Sequence, residues 1–297
     1  MSKVDCVINV CGKPVQTALA ITSLMEHSGQ HIDRIFFIEE NTAESGHDFG
    51  SHEFILSRYS DHIVRYVPPR WFYVGAIARR YWKDDTARLS LRYQFGFEQS
   101  DKDLLFTTHN DCHYTGDIIG LLKEHIGQDM AAGHIGMCWT CPAHHAGKCD
   151  SFRYWNYRPD FGELKALYEQ TADKLAAPLS DFSSDIRSRP WPLPVCRVNE
   201  WSALINLRKA RRVTIPGGPA APFGAYDNQR SFITDVGVAW FRDISNMGFR
   251  CRHVPIYGHV QHGRGHAAMT DEALYRLREE EAWQVLRDTY GIAYPLT

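Results

Sequence analysis

Several things are missing from this chain of 297 residues, and each absence excludes something. No apolar run approaches the roughly 20 residues that a helix needs to cross a bilayer, so no membrane span is expected. No sign of charge dominates. Lys and Arg number 33 against 35 Asp and Glu, a formal net charge of −2. That balance gives no general attraction to nucleic acid or to an anionic membrane, so nucleic acid is not the expected partner. No helical H-E-x-x-H occurs, which leaves a zinc hydrolase without its usual ligand pair. There is no internal repeat and no low-complexity linker. No signal peptide is expected, because "VDCVINV" already reads as a strand, and the cytoplasm is the expected address. Eight cysteines do not make a disulfide scaffold at this length. In a reducing compartment they are expected to be free thiols or metal ligands.

What is present is ordinary for a globular chain: 44% hydrophobic and 23% charged residues, enough to bury a sizeable core. "CVINV" (6–10) is a short β-branched run and reads as a fully buried strand. Pro14 suits the first turn of a helix, where its missing amide costs nothing. Ala18, Ile21 and Met25 then fall on one helical face, and Gly29 ends it. "RIFFIEE" (34–40), "DHIVRYV" (61–67) and "DLLFT" (103–107) read as further strands, with one helical stretch over roughly 86–99. Strands alternating with helices imply an α/β fold with a mostly parallel central sheet flanked by helices. Such sheets bind ligands beyond the carboxyl ends of their strands. "THND" (108–111), which abruptly follows the apolar run "LLFT", lies there.

From about 140 to 225 the pattern is irregular and rich in Trp, Pro and Gly. "IPGGPAAPFG" (215–224) is expected to be a mobile loop. After Thr270, a plausible N-cap, Leu274, Leu277, Ala282 and Val285 follow helical spacing. The simplest organisation is one domain over 1–268, with a C-terminal helix within 269–297 packed on it. "NLRKARR" (206–212) reads as a solvated helix end rather than a surface for an anionic acceptor.

The sharpest local constellation is "CWTCPAHHAGKC". Cys138 and Cys141 form C-x-x-C, and Cys149 follows after seven residues with Pro and Gly between, the shape of a zinc-binding knuckle. Four ligands are required. Cys196, in "LPVCRVNEW", or one of His144 and His145 supplies the fourth. A closed structural zinc site would pin the irregular 138–200 segment. The plainer alternative is a set of core thiols without metal.

The order of these features resembles the GT-A fold of nucleotide-sugar glycosyltransferases, closest to the family 2 type. "INVCGKPVQTALAITSL" and "IFFIEENTAES" are similar to that family's first strand–helix–strand. "RYQFGFEQSDKDLLFTTHND" stands in the place of the helix leading into "flDxD". "TDVGVAWFRDISNMGF" (234–249) stands in the place of the "ED" motif and its helix, and "HVPIYGHVQH" (253–262) supplies a late histidine. His109 replaces the family's first Asp, and Thr234 replaces the Glu of "ED".

The resemblance implies a metal-dependent glycosyltransferase of the hexosyltransferase type. It would move a sugar from a nucleoside-diphosphate sugar to a hydroxyl of a glycan or small-molecule acceptor, with inversion. Val10, Gly12, Glu39 and Glu40 would hold the nucleotide. Asn110 and Asp111 would meet the diphosphate, with Arg88 and Arg92 as forked phosphate donors. Mn2+ or Mg2+ takes oxygen ligands and keeps waters, so Asp111 plus substrate phosphates suffices. His109 and His262 would add imidazole, which suits Mn2+. Asp235 would be the general base, with Asp227 and Glu200 in reserve. Each has a plainer reading: His109, Asp111 and Asp235 as helix caps, the glutamates and arginines as solvated charges. Trp139, Trp155, Trp191 and Trp201 lie where an acceptor would be shaped. A reading of another class is a non-catalytic GT-A-like module that binds a glycan or a partner protein, and the altered "HND" and "TD" motifs favour it.

Overall fold

A computed structural model describes residues 2–40, 50–72, 77–171, 182, 184–229, 232–263 and 271–295, with backbone alone for 227–229 and 232–234. The first half runs β1 (Val4–Val10), α1 (Pro14–Ser28), β2 (Ile32–Glu39), α2 (Glu53–Arg58), β3 (Ile63–Tyr66), α3 (Asp85–Leu89), α4 (Gln94–Gln99), β4 (Leu104–His109), β5 (Cys112–Tyr114) and α5 (Ile118–Ile126). Then follow β6 (Ala131–Ile135), α6 (Pro142–His145), α7 (Phe161–Gln170), α8 (Ser184–Ser188), β7 (Val198–Asn206) and α9 (Leu207–Val213). The chain ends with β8 (Asp227–Gln229), β9 (Phe232–Thr234), α10 (Val238–Asn246), β10 (Arg252–His253), β11 (Val260–His262) and α12 (Glu272–Tyr290).

Seven strands form one sheet in the order β3-β2-β1-β4-β7-β6-β10. Only β7 runs against the others. All seven residues of β1 are buried, as a strand covered on both faces requires. Successive side chains point to opposite faces. Val7, Phe36, Ile38 and Leu105 join one core with α4, α9 and α10. Cys6, Ile8, Phe37 and Phe106 join the other with α1, α5 and α12. Gly96 on α4 lies so close to β1 that a Cβ there would sit 2.8 Å from Val7. This is the mixed α/β architecture expected: a mostly parallel central sheet flanked by helices, with a C-terminal helix. No helix among the described residues is long and apolar enough to cross a membrane.

Several local expectations need correction. The stretch 86–99 is two helices, broken between Leu89 and Gln94. Residues 215–224 are not a mobile loop. Thr214 bridges Ala220, and Ala220, Ala221 and Phe223 are fully buried. Thr270 lies outside the described residues. Asp271 caps α12 through a 3.0 Å bond from the Leu274 amide. The buried face of α12 is Ala282 and Leu286, while Leu277 is half exposed. "NLRKARR" is not merely solvated, because Arg211 Nε donates to the Phe97 carbonyl at 2.8 Å. The irregular segment ends before Val198, where the chain enters the central sheet.

Candidate metal and donor site

The strand order reverses between β1 and β4. From β1 the chain steps outward to β2 and β3, whereas β4 lies on the other side. Such switch points leave a crevice at the carboxyl ends of the strands. Asn9 and His109 sit opposite each other there. Past His109 the chain turns through Asn110 and Asp111 into β5. Strand β11 pairs antiparallel with β5 and sets His262 opposite Cys112. That pairing carries His262 across 153 residues of sequence to within 3.1 Å of His109, Nε2 to Nδ1. His262 Nε2 is also 3.3 Å from Asp111 Oδ1.

His109, Asp111 and His262 offer donor atoms all within 4.8 Å of one another, and among the described residues they form the group of that kind. Of the atoms that face one another there, Asp111 Oδ1 is buried without a hydrogen-bond partner; His109 turns Nδ1 to the cluster and its other nitrogen, Nε2, towards Glu200 at 3.6 Å. Buried polar atoms are normally satisfied, so a cation among them answers an open requirement. Burial pushes the His109 imidazole below its ordinary value, aided by His262, and a neutral ring is the ligating form. Burial alone would push the Asp111 carboxyl up, but Lys13 and the two histidines hold it well below the usual carboxylate range. One carboxylate and two imidazoles suit Mn2+ or a similar borderline ion better than Mg2+.

Three neighbours organise this cluster, and two of them, Lys13 and Arg197, were missed in the sequence. Lys13 Nζ lies 3.2 Å from Asp111 Oδ2, both side chains nearly inaccessible. Its backbone is left-handed at φ 56, a conformation that costs a non-glycine residue about 1–2 kcal/mol. The Tyr275 hydroxyl of α12 accepts its amide at 2.8 Å. Trp201 stacks flat on His262, centroids 4.6 Å apart. Arg197, fully enclosed, links Glu200 at 2.9 Å to Asp235 at 2.7 Å, and Glu200 lies 3.6 Å from His109. Burial would raise the Glu200 carboxyl, but Arg197 and His109 outweigh it and hold it low. Nothing local marks Lys13 or Arg197 in the sequence, since the partner of a charge is set by distance in space.

The other expected residues divide. Asn110 donates to the Gly12 carbonyl at 3.1 Å and to Thr17 at 3.2 Å, joining the end of β4 to the β1–α1 turn. Val10 accepts the Glu40 amide at 2.9 Å. Glu40 receives Asn9 and Arg92 at 2.9 and 3.1 Å, so Arg92 reaches this crevice. Glu39 is held below the usual carboxylate range by His52 and Arg65. Arg88 is not brought to the crevice group. It is buried against Glu98 at 2.7 Å and Asp85 at 2.8 Å. Asp235 does not cap the following helix, because Gly237 occupies that position. Its carboxylate is partly exposed and accepts from the Val236 amide and Arg197. The side chains of Asp227 and Thr234 lie outside the described residues.

Cys138, Cys141, Cys149 and Cys196 line one pocket, together with His144. All eight cysteines are free. Burial, with the neighbouring thiols, pushes Cys149 up to about 12 and Cys196 well above its ordinary value. The four sulfurs are less tightly grouped than the His109 cluster. His145 turns away to the Trp139 carbonyl at 3.0 Å.

No protein-family model matches this chain, and no curated protein matches it. Among solved structures it is similar to a mannosyltransferase from Pyrobaculum calidifontis in complex with GDP-Man and Mn2+. Identity is 8% and the TM-score 0.46, over 94% of this chain and 61% of that one. It therefore spans less than two thirds of the mannosyltransferase's length. It is similar to mouse xyloside xylosyltransferase 1 at 10% identity and a TM-score of 0.42, over 86% of each chain. It is also similar to glucosyl-3-phosphoglycerate synthase from Mycobacterium tuberculosis in complex with Mn2+, uridine diphosphate and phosphoglyceric acid, at 10% identity and a TM-score of 0.44, over 100% of this chain and 80% of that chain.

Proposed function

We propose that this chain is a metal-dependent GT-A glycosyltransferase that moves a sugar from a nucleoside-diphosphate sugar to an acceptor hydroxyl. The observation that carries this reading is the cluster of His109, Asp111 and His262 at the switch point, with Asp111 Oδ1 buried and unpartnered within it. Those residues would hold Mn2+ or Mg2+. A divalent ion there supplies charge neutralisation for a departing diphosphate. The protein's own groups do the rest. Glu40, fixed by Asn9 and Arg92, borders the nucleotide. Asn110 fixes the turn that presents Asp111. Lys13 adds a positive charge beside Asp111 that suits an anionic donor. Asp235, oriented by Arg197, takes the proton of the acceptor hydroxyl in an inverting transfer. Eight unpaired thiols suit a reducing compartment, and the cytoplasm is the proposed location.

The four-cysteine pocket is the proposed seat of a structural zinc ion. Cys196 approaches from the segment just before β7 and would be the fourth ligand after Cys138, Cys141 and Cys149. The thiols would close slightly around the ion, which binds them as thiolates.

The deciding experiment is a thermal-shift series with UDP- and GDP-sugars, each with and without Mn2+, followed by assay of nucleoside diphosphate release. A ligand at 100 times its dissociation constant adds about 2.7 kcal/mol. Stabilisation that needs both donor and metal, with release stopped by chelator and by Asp111→Ala, is the expected result. Failure of every donor to stabilise or react would leave the non-catalytic binding module instead.

A further inference from the structure

A row of aromatic rings leads away from the metal cluster. His262 stacks on Trp201 at 4.6 Å. Trp201 meets Tyr257 at 6.0 Å, and Tyr257 meets His134 at 5.0 Å. His134 packs on His253 at 5.1 Å, and His253 on Phe152 at 4.4 Å. The row starts in the interior, with Trp201 at 4% exposure, and ends in solvent. Tyr257 is 56% exposed and Phe152 70%, the highest value among the exposed large apolar side chains described.

These rings come from four separate parts of the chain: β7, β6, the β10–β11 region and the turn after Cys149. Phe152 is held outward by construction. Asp150 Oδ1 accepts the amides of both Phe152 and Arg153 at 2.9 Å, which fixes the turn that carries it. An apolar ring fixed in water gives nothing to the core, and such exposed surface commonly marks a binding place. The outer part of the row, from Tyr257 to Phe152, is also uncharged. Burial pushes His134 down and His253 to about 4, so both rings are neutral at pH 7. His253 Nδ1 accepts the Ile135 amide at 3.1 Å, which leaves its other ring nitrogen for a ligand.

We propose that this row is an extended binding platform for a neutral oligosaccharide, which serves as the acceptor. The inference rests on the glycosyltransferase reading of the cluster at its inner end. A pyranose presents an apolar C–H face and a rim of hydroxyls. The ring faces of Tyr257 and Phe152 match the first, and the Tyr257 hydroxyl and the remaining His253 ring nitrogen match the second. Successive ring spacings of 4.4–6.0 Å are comparable with the length of one sugar residue. A chain lying along the row would bring its end to Trp201, beside His262. An anionic or cationic ligand would find no partner charge among the rings from Tyr257 to Phe152.

The test is calorimetric titration, without donor, of wild type, Phe152→Ala, Tyr257→Ala and the double variant. The probes are gluco-, manno-, galacto-, xylo- and N-acetylglucosamine oligomers of increasing length, with a single-stranded oligothymidine as a further arm. At least one sugar series should bind more tightly as it lengthens. Each single variant should weaken the longer members about tenfold, as loss of an aromatic stacking face does, and should bring them towards the affinity of the shortest member. Unchanged melting temperatures would show that the fold survives. Absence of any length-dependent binding, equal binding by the variants, or binding of oligothymidine alone would overturn the proposal. Length-dependent sugar binding without any donor- and Mn2+-dependent stabilisation would defeat the transferase reading and leave the platform standing. The reverse result would do the opposite.

Discussion

Replacing Asp111 with Asn removes one negative charge and almost no volume from a place where two side chains are nearly sealed from water. Lys13 Nζ sits 3.2 Å from Asp111 Oδ2, with side-chain exposures of 8% and 2%. Lys13 cannot swing out easily, because its left-handed backbone is pinned by Tyr275. Removing one partner of a buried ion pair typically costs 3–5 kcal/mol, since the remaining charge stays desolvated. Asn keeps an oxygen acceptor for the ammonium, so the expected loss is near the lower end, about 3 kcal/mol. At roughly 2–4 °C per kcal/mol for chains somewhat shorter than this one, the melting temperature should fall by roughly 6–12 °C. Urea unfolding should show a lower midpoint with an unchanged slope. In a Lys13→Met background the same Asp111→Asn change should cost under about 1 kcal/mol, because no orphaned charge remains, and the difference is the coupling that a double-mutant cycle isolates. The Asn variant should also lose any stabilisation by Mn2+. If Asp111→Asn unfolds within about 0.5 kcal/mol of wild type, the pair is solvated and the picture of a sealed crevice is wrong.

Asp235→Asn should retain donor-dependent stabilisation but cut transfer about 10²–10⁴-fold, the usual contribution of a general base; a loss below tenfold would assign Asp235 to holding Arg197. Protein purified without a histidine tag should carry about one zinc per chain, and Cys149→Ser should lose it along with protease resistance between residues 138 and 197. Zinc below half an equivalent in wild type, with every thiol titratable in the native state, would make these cysteines core residues. Stability should fall as the pH drops from about 6.5 towards 4, because unfolded His253 takes a proton that the native ring, held at about 4 by burial and His134, refuses. His253→Gln should make that decline shallower; an equal fall in unfolding free energy between pH 7.5 and 5 for both proteins, read from urea titrations, would contradict the assignment.

"CVINV", "RIFFIEE" and "DLLFT" were legible as strands because a strand covered on both faces must be apolar along its length. The polar end of β4 was legible for the complementary reason: a sheet has open space only beyond its carboxyl edge. Pro14 marked the start of α1 through local backbone preference, whereas Gly29 at its end is itself right-handed helical at φ −58. Where neighbours in space overrule the local chain, the reading failed. Helical composition continues across 86–99, yet the Tyr93 amide is taken by Asn9 at 2.8 Å. There the backbone of Arg92 also packs against Gly224, where a Cβ would fall 1.6 Å from its carbonyl oxygen. The same small residues made 215–224 irregular, as composition implied, but packed it into the interior instead of leaving it mobile. The family resemblance could nominate His109, Asp111 and His262 separately, and spacing could nominate Cys138, Cys141 and Cys149, with the fourth ligand open between Cys196 and a histidine. Only the β5–β11 pairing sets His262 beside Asp111, and only the tertiary fold brings Cys196 to the pocket of the other three. Lys13, Arg197 and the stacking of Trp201 on His262 became visible only in three dimensions. Residue type decides what a side chain is able to bind, whereas the packing of distant segments decides which partner stands within reach.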